Sequence, residues 1–264
     1  MQYTRDNNSR SICRFPPQSA AVTSRLLALL MLLTATLAPA EQPKIGTLGD
    51  THPRPVASVV ANSNKPSVVK LAVPIKRIEQ GTRRAFIENC TAFAVSRTDE
   101  HHLFLSSWHC VDGLQNRLHT PEITHAGSTV ASELQETGGS MREDWLLMTA
   151  PSHAFAETII PTPLSGEPVK LGETLYGFGW GGHRKAQLAS PKALPCIALE
   201  VGPRLTLDCV FSKGDSGGLI AREKNGAYEA VGIISAGDST STTFAYPTSS
   251  LPKQVLDELQ HRRE

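Results

Sequence analysis

Several things are missing from this chain of 264 residues, and each absence narrows its function. No apolar run reaches the roughly 20 residues that a membrane helix needs; the most nearly unbroken one, residues 26–37, covers about 12. No basic stripe is present, and with 26 Lys and Arg against 25 Asp and Glu the formal net charge is only +1, so nucleic acid is not an expected partner. Internal repeats and low-complexity tracts are absent by eye. The five cysteines lack paired C-x-x-C spacing, which argues against zinc. Of the scattered histidines His101, His102, His119, His125, His153 and His183, none has a carboxylate or second histidine at ligand spacing. They are expected at exposed loop positions, with no metal and no cofactor. Disorder is excluded too, because 40% hydrophobic residues suffice for the core of one large domain or two lobes.

What is present begins with a charge imbalance. Residues 1–40 carry Arg5, Arg10, Arg14 and Arg25 against Asp6, a net +3 that leaves the remainder at −2. The basic stretch leads into the apolar run and then into Ala38-Pro39-Ala40, a small-x-small cleavage pattern. Residues 1–40 are therefore expected to be a signal peptide with a long n-region, an uncleaved anchor being the other reading. Export implies a secreted or periplasmic protein with no stable membrane association once the leader is removed. Cys13 falls in the leader, and the mature chain keeps Cys90, Cys110, Cys196 and Cys209. An even number in an oxidising compartment favours disulfides.

Residues 41–66 are rich in Pro, Asn and Ser without a strong hydrophobic period, and are expected to be an N-terminal arm or short propeptide. Residues 67–264 then show short β-branched and apolar segments between turn residues. Strands are expected at 67–73, 91–95, 102–106, 128–134 and 145–150 for a first lobe, about 67–150. The proline-rich stretch 151–168 makes the connection. A second lobe, about 169–250, has expected strands at 173–178, 193–200, 204–209, 217–221, 228–235 and 242–246. Helical periodicity is confined to about 251–262, through Val255, Leu256 and Leu259. This pattern predicts an all-β double barrel with a short C-terminal helix.

The sharpest local feature is Gly214-Asp215-Ser216-Gly217-Gly218. It seats one serine in a glycine-rich turn, where the N–H groups of Gly214 and Ser216 can converge on a developing oxyanion. Upstream, Ser106-Ser107-Trp108-His109-Cys110 follows the apolar run Leu103-Phe104-Leu105, and Asp144-Trp145-Leu146-Leu147 opens another apolar run with a carboxylate. The order His109, Asp144, Ser216 supplies a base, an orienting acid and a nucleophile. A decoy also appears: residues Gly177 to Gly182 fit G-x-G-x-x-G with Glu200 about twenty residues on, yet no amphipathic helix follows, so a dinucleotide site is not expected.

On these residues the chain resembles the chymotrypsin-like (trypsin-type, S1) serine peptidases, as a bacterial-type secreted member. Cys90-Thr91-Ala92-Phe93, Trp108-His109-Cys110, Asp144-Trp145-Leu146-Leu147, Gly179-Trp180-Gly181 and Gly214 to Gly218 match the family's motifs over roughly residues 65–260. The chain departs from the pattern at Trp108, at Leu219 and in lacking a clear Ile-Val-Gly-Gly activation sequence. The resemblance implies two six-stranded antiparallel Greek-key barrels, and a monomeric endopeptidase that acts on protein or peptide substrates. It also implies a Cys90–Cys110 bridge and, with it, a Cys196–Cys209 bridge. Asp215 is expected to pair with a new N-terminal amine, for which Lys44-Ile45-Gly46 is a faint candidate, or with an internal cation such as an arginine. Val210 is expected at the base of the specificity pocket and Ser235, Ala236 and Gly237 along its wall, favouring an apolar or small neutral residue before the scissile bond.

Two other classes remain at this point. G-x-S-x-G also marks α/β-hydrolase esterases, but that fold needs a histidine after the serine, and only His261 near the chain's end follows it. A peptidase-like binding module without activity is the non-enzymatic alternative, and Trp108 beside the histidine is its main support.

Overall fold

The computed structural model describes residues 65–114, 120–155, 157–181, 190–238 and 240–261. The leader, most of the arm, Lys44-Ile45-Gly46, Cys13, His119 and His183 lie outside the described residues.

Thirteen strands dominate the described residues, with one α-helix among them, α1 (Lys253–His261). Seven form the first lobe: β1 (Val68–Glu79), β2 (Thr82–Arg97), β3 (His101–Ser106), β4 (Glu122–His125), β5 (Ser128–Ala131), β6 (Glu133–Thr137) and β7 (Leu146–Pro151). They make one antiparallel sheet in the order β5-β4-β1-β2-β3-β7-β6. Its two edge strands are consecutive in the chain, joined by the single buried residue Ser132, whose N–H and hydroxyl both donate to the Pro121 carbonyl. One bent segment thus supplies both edges of this seven-stranded sheet, which curls as a half-barrel.

The second lobe is a closed barrel of β8 (Thr174–Gly179), β9 (Lys192–Glu200), β10 (Leu205–Asp208), β11 (Leu219–Lys224), β12 (Ala227–Gly237) and β13 (Thr242–Pro247), in the order β10-β13-β12-β11-β8-β9. The all-β double barrel of chymotrypsin type with a short C-terminal helix is the fold observed.

Strand periodicity explains how two barrels share three cores. Along β1, Val69, Leu71, Val73 and Ile75 point into the first lobe, with Phe104, Ile123 and Met148 among their neighbours. Leu175, Leu205, Leu207, Phe211, Ile220 and Val231 fill the second barrel. The third core lies between the lobes, where Val68, Phe93, Leu103, Leu105 and Leu147 meet Phe178, Leu219, Ile233 and Tyr246, capped by Val255 and Leu259 of α1. Leu103-Phe104-Leu105 is apolar without alternation because both faces of β3 are buried, one in each core.

Three expectations need correction. The segments expected at 67–73 and 91–95 are parts of one long hairpin, whose β1 and β2 stay paired out to Glu79 and Thr82. Its outer half is solvent-exposed on both faces, Ile78 at 71%, so pairing there leaves no apolar period to detect. β4 was not expected, and the strand expected at 128–134 is broken at Ser132. The histidines His101 and His102 are on β3 and His125 on β4, not in loops, and His102 is buried with its ring edge-on to Phe104 and Phe155. Burial holds both His102 and His125 below the ordinary histidine range, Arg97 adding to the effect on His102.

Candidate active site

Antiparallel pairing of β3 with β7 sets Ser106 opposite Leu146. His109 follows the end of β3 and Asp144 precedes the start of β7, so the ladder delivers both residues to the same end of the same strand pair. His109 sits on a 3₁₀ turn, Trp108–Cys110. Its backbone N–H donates to Asp144 Oδ1 at 2.9 Å, and its Nδ1 lies 2.8 Å from Oδ2. In the tautomer that this contact favours, Nδ1 donates to the carboxylate, which leaves Nε2 of the neutral ring as the acceptor. Asp144 is 1% exposed and takes a further hydrogen bond, 2.5 Å, from the Ser235 hydroxyl of β12. The carboxylate is thus held by both lobes. The Cys90–Cys110 disulfide ties the residue after His109 to β2, and Trp108 packs its partly buried ring against the first-lobe core.

Ser216 lies on the turn entering β11, and that turn is gripped from both sides. From the first lobe, Thr91 donates its N–H to the Ser216 carbonyl and its hydroxyl to the Gly214 carbonyl, each at 2.8 Å. From the second, Gly217 N–H donates to the Ile234 carbonyl at 2.7 Å. Ser106 and Ser107, both fully buried, reinforce the seam, Ser106 Oγ donating to the Thr91 carbonyl and Ser107 Oγ to that of Ile234. Gly217, at φ +80°, must be glycine, since a Cβ there would overlap Ser106 Oγ and the Thr91 carbonyl. The N–H groups of Gly214 and Ser216 have no hydrogen-bond partner among the described residues.

Asp215, between them, is fully buried and faces the other way. Its Oδ1 accepts the Gly181 N–H at 2.6 Å, and its Oδ2 accepts the Ser212 N–H at 2.8 Å and faces Lys192 Nζ at 3.3 Å. The cation beside it is a lysine on β9. Gly179 and Gly181 leave the space this carboxylate fills, which gives the Gly-Trp-Gly motif, and the dinucleotide decoy, their physical meaning. Trp180 between them donates its indole N–H to the Val68 carbonyl across the lobes.

His109 and Ser216 border one cavity of about 310 Å³, with no hydrogen bond between them in this structure. Its second-lobe wall is Phe211, Ser212, Ile234, Ser235, Ala236 and Gly237, while Arg77, Glu88 and Lys213 line the rest. Glu88 is occupied by Arg77 at 2.9 Å and Lys213 at 3.5 Å. Val210, expected at the base, is not among the lining residues: it is 37% exposed and its carbonyl accepts from Lys192. Ala236 and Gly237 line this cavity, and Ser235 does so while also bonding Asp144. The second disulfide joins Cys196 to Cys209, beside the start of the wall segment. Sequence reasoning gave no role to Thr91, Ser106, Ser107 or Lys192, and only a polar residue at an apolar strand position hinted at the first three.

Comparisons with known proteins agree on architecture. No protein-family model matches the chain, and no curated protein matches it in sequence. Among solved structures it is similar to the Rv3671c protease of M. tuberculosis in its active form, at 18% identity, covering 87% of this chain and 94% of that one, with a TM-score of 0.55. It is also similar to the thermostable serine protease AL20 from an extremophilic microorganism, at 15% identity over 69% of this chain and 91% of that one, TM-score 0.52. From the strand order, the two barrels and these likenesses, the chain has the chymotrypsin-like serine peptidase fold.

Proposed function

We propose that the chain is an exported serine endopeptidase that hydrolyses peptide bonds through an acyl-enzyme. The observation that carries the reading is the position of His109, pinned by the buried Asp144 with Nε2 free, on the rim of the cavity that Ser216 shares. In this mechanism a bound peptide carbonyl sits against Ser216, and the serine–histidine hydrogen bond closes in that complex, as is common for sites that are loose when empty. Ser216 Oγ attacks, His109 takes its proton and returns it to the leaving amine, and Asp144 stabilises the imidazolium. The unengaged N–H groups of Gly214 and Ser216 hold the oxyanion, each such donor lowering the barrier by about 3 kcal/mol. Water then releases the acyl group.

The wall of Phe211, Ile234, Ala236 and Gly237 favours an apolar or small neutral residue before the scissile bond, since Glu88, the cavity's one lining carboxylate, already pairs with two cations. The two disulfides support export, with residues 1–40 as the leader on the strength of their sequence pattern. Turnover of casein tests the reading. Ser216→Ala and His109→Ala are expected to lose about 10⁵–10⁶-fold in kcat and Asp144→Asn about 10⁴-fold, with double variants little worse than singles. Retained activity in Ser216→Ala would refute it.

A further inference from the structure

We propose that the first-lobe end of the cavity is a subsite for an acidic side chain of the substrate, carried by the segment that follows the scissile bond and read by Arg77 and Lys213. The inference rests on the peptidase reading and adds a substrate class to it.

The cavity has two unlike ends. Its second-lobe wall of Phe211, Ile234, Ala236 and Gly237 takes the residue before the scissile bond in the mechanism above. Its other end is charged. Arg77 and Glu88 come from the β1–β2 hairpin, and Lys213, the residue before Gly214, meets Glu88 from the second lobe. Each oxygen of Glu88 takes one cation, Oε2 facing Arg77 at 2.9 Å and Oε1 facing Lys213 at 3.5 Å. Two cations against one carboxylate leave a positive charge unbalanced beside Ser216. The carboxylate is also the most sheltered of the three, its side chain 13% exposed against 42% for Arg77 and 75% for Lys213, so both cations keep donors within reach of a ligand.

The hairpin extends this charge. Arg84 stands directly opposite Arg77 in the ladder, so the two share one face of the ribbon. Like charges so placed work against the pairing, and Arg84 has no hydrogen-bond or ion-pair partner among the described residues. An anion held between the arginines turns that repulsion into attraction. Residues 76–84 carry Lys76, Arg77, Arg83 and Arg84 against Glu79 alone, a net +3 in a stretch, 41–264, whose total is −2. Charge concentrated in this way draws acidic segments to one end of the cleft. The mechanism gives the direction. His109, which returns the proton to the leaving amine, belongs to the first lobe, so the segment that carries that amine departs along the first-lobe side while the acyl part stays against the second-lobe wall. An Asp or Glu in that segment meets Arg77 and Lys213 as a charge-assisted acceptor, which an Asn or Gln cannot match.

The test uses the folded protein and fluorogenic peptides that differ only in Glu against Gln at the first or second position after the scissile bond, with Val or Leu before it. The readout is the ratio of kcat/KM for the Glu and Gln peptides, which cancels any change that a variant makes to both. The parent is expected to favour Glu about 10-fold, mostly through KM, and to lose most of that preference in about 0.5 M salt. Glu88→Gln, which frees both cations, should raise the ratio. Arg77→Gln and Arg84→Gln should lower it, Lys213→Glu should bring it below one, and Lys213→Arg should keep it, with melting temperatures confirming that each variant is folded. A parental ratio near one, a ratio that Lys213→Glu leaves in place, or a preference confined to Glu before the scissile bond would each overturn the inference. If the parent cleaves none of the peptides, the peptidase reading fails instead, and fluorescence anisotropy of the labelled peptides decides the subsite: tighter binding of Glu that Lys213→Glu abolishes supports it, and equal affinities overturn it.

Discussion

The two lobes solve the same packing problem differently, and the difference shows where the candidate site gets its precision. The second is a closed barrel, and its strands β11 and β12 flank the turn that carries Ser216. The first is an open seven-stranded half-barrel whose edge segment bends at Ser132, and its long hairpin β1–β2 projects beyond the core. Yet the first lobe positions two of the three candidate residues, because a single ladder contact, Ser106 opposite Leu146, brings His109 and Asp144 to one end of one strand pair. Their mutual geometry is local to that lobe. Their relation to Ser216 is not, and it depends on the bonds that cross the seam from Thr91, Ser107 and Ser235.

The disulfides give the sharpest way to break this comparison. Each closes a loop of similar size, with sequence separations of 20 and 13, so replacing either pair by serine is expected to cost about 3 kcal/mol of stability. Activity should distinguish them. Loss of Cys90–Cys110 frees the turn that carries His109 and should reduce kcat well beyond its effect on the folded fraction. Loss of Cys196–Cys209 should lower kcat only as far as the folded fraction falls. Denaturant titration alongside turnover measures both.

Next in size is Ser235→Ala, which removes the second lobe's only hydrogen bond to Asp144 among the described residues. A hydrogen bond to a charged group is worth about 1.5–3 kcal/mol, so kcat is expected to fall about 10- to 100-fold with little change in melting temperature. An unchanged kcat would mean that the first lobe alone orients the acid.

The smallest effect concerns the connection between lobes. Arg222 of β11 makes a two-pronged contact with Glu173 and donates as well to Ser165 Oγ and to the carbonyls of Glu167 and Pro168. Its guanidinium, bonded to Glu173, holds that carboxyl below the usual range. A lowered folded value means that Glu173 stabilises the fold above the ordinary glutamate range and that this contribution is lost as pH falls through the folded value. Arg222→Ala is expected to cost about 1–2 kcal/mol at neutral pH and to flatten the melting curve's dependence on pH in that acidic window. The neutral, buried His102 adds a separate loss of stability as pH falls below the ordinary histidine range, one that Arg222→Ala should leave intact.

The fold and the candidate residues were legible in the sequence because their signals are local. His109, Asp144 and Ser216 each sit beside an apolar run or within a glycine turn, and strand periodicity marked most segments buried on at least one face, the four-residue β4 excepted. What stayed hidden is non-local. Thr91 serves a turn more than 120 positions away, and Lys192 pairs with Asp215 across 23. Nothing in a local window distinguishes such a lysine from a solvated one. The outer hairpin escaped for the opposite reason, since a pair of strands exposed on both faces has no burial to imprint a period.

The most direct test of the central claim is to map the adduct formed by a fluorophosphonate probe on the folded protein by peptide mass spectrometry. The account predicts one adduct, on Ser216, whose rate of formation collapses in His109→Ala while the fold, checked by melting, persists. An adduct at another serine, or labelling of Ser216 that is indifferent to His109, would contradict it.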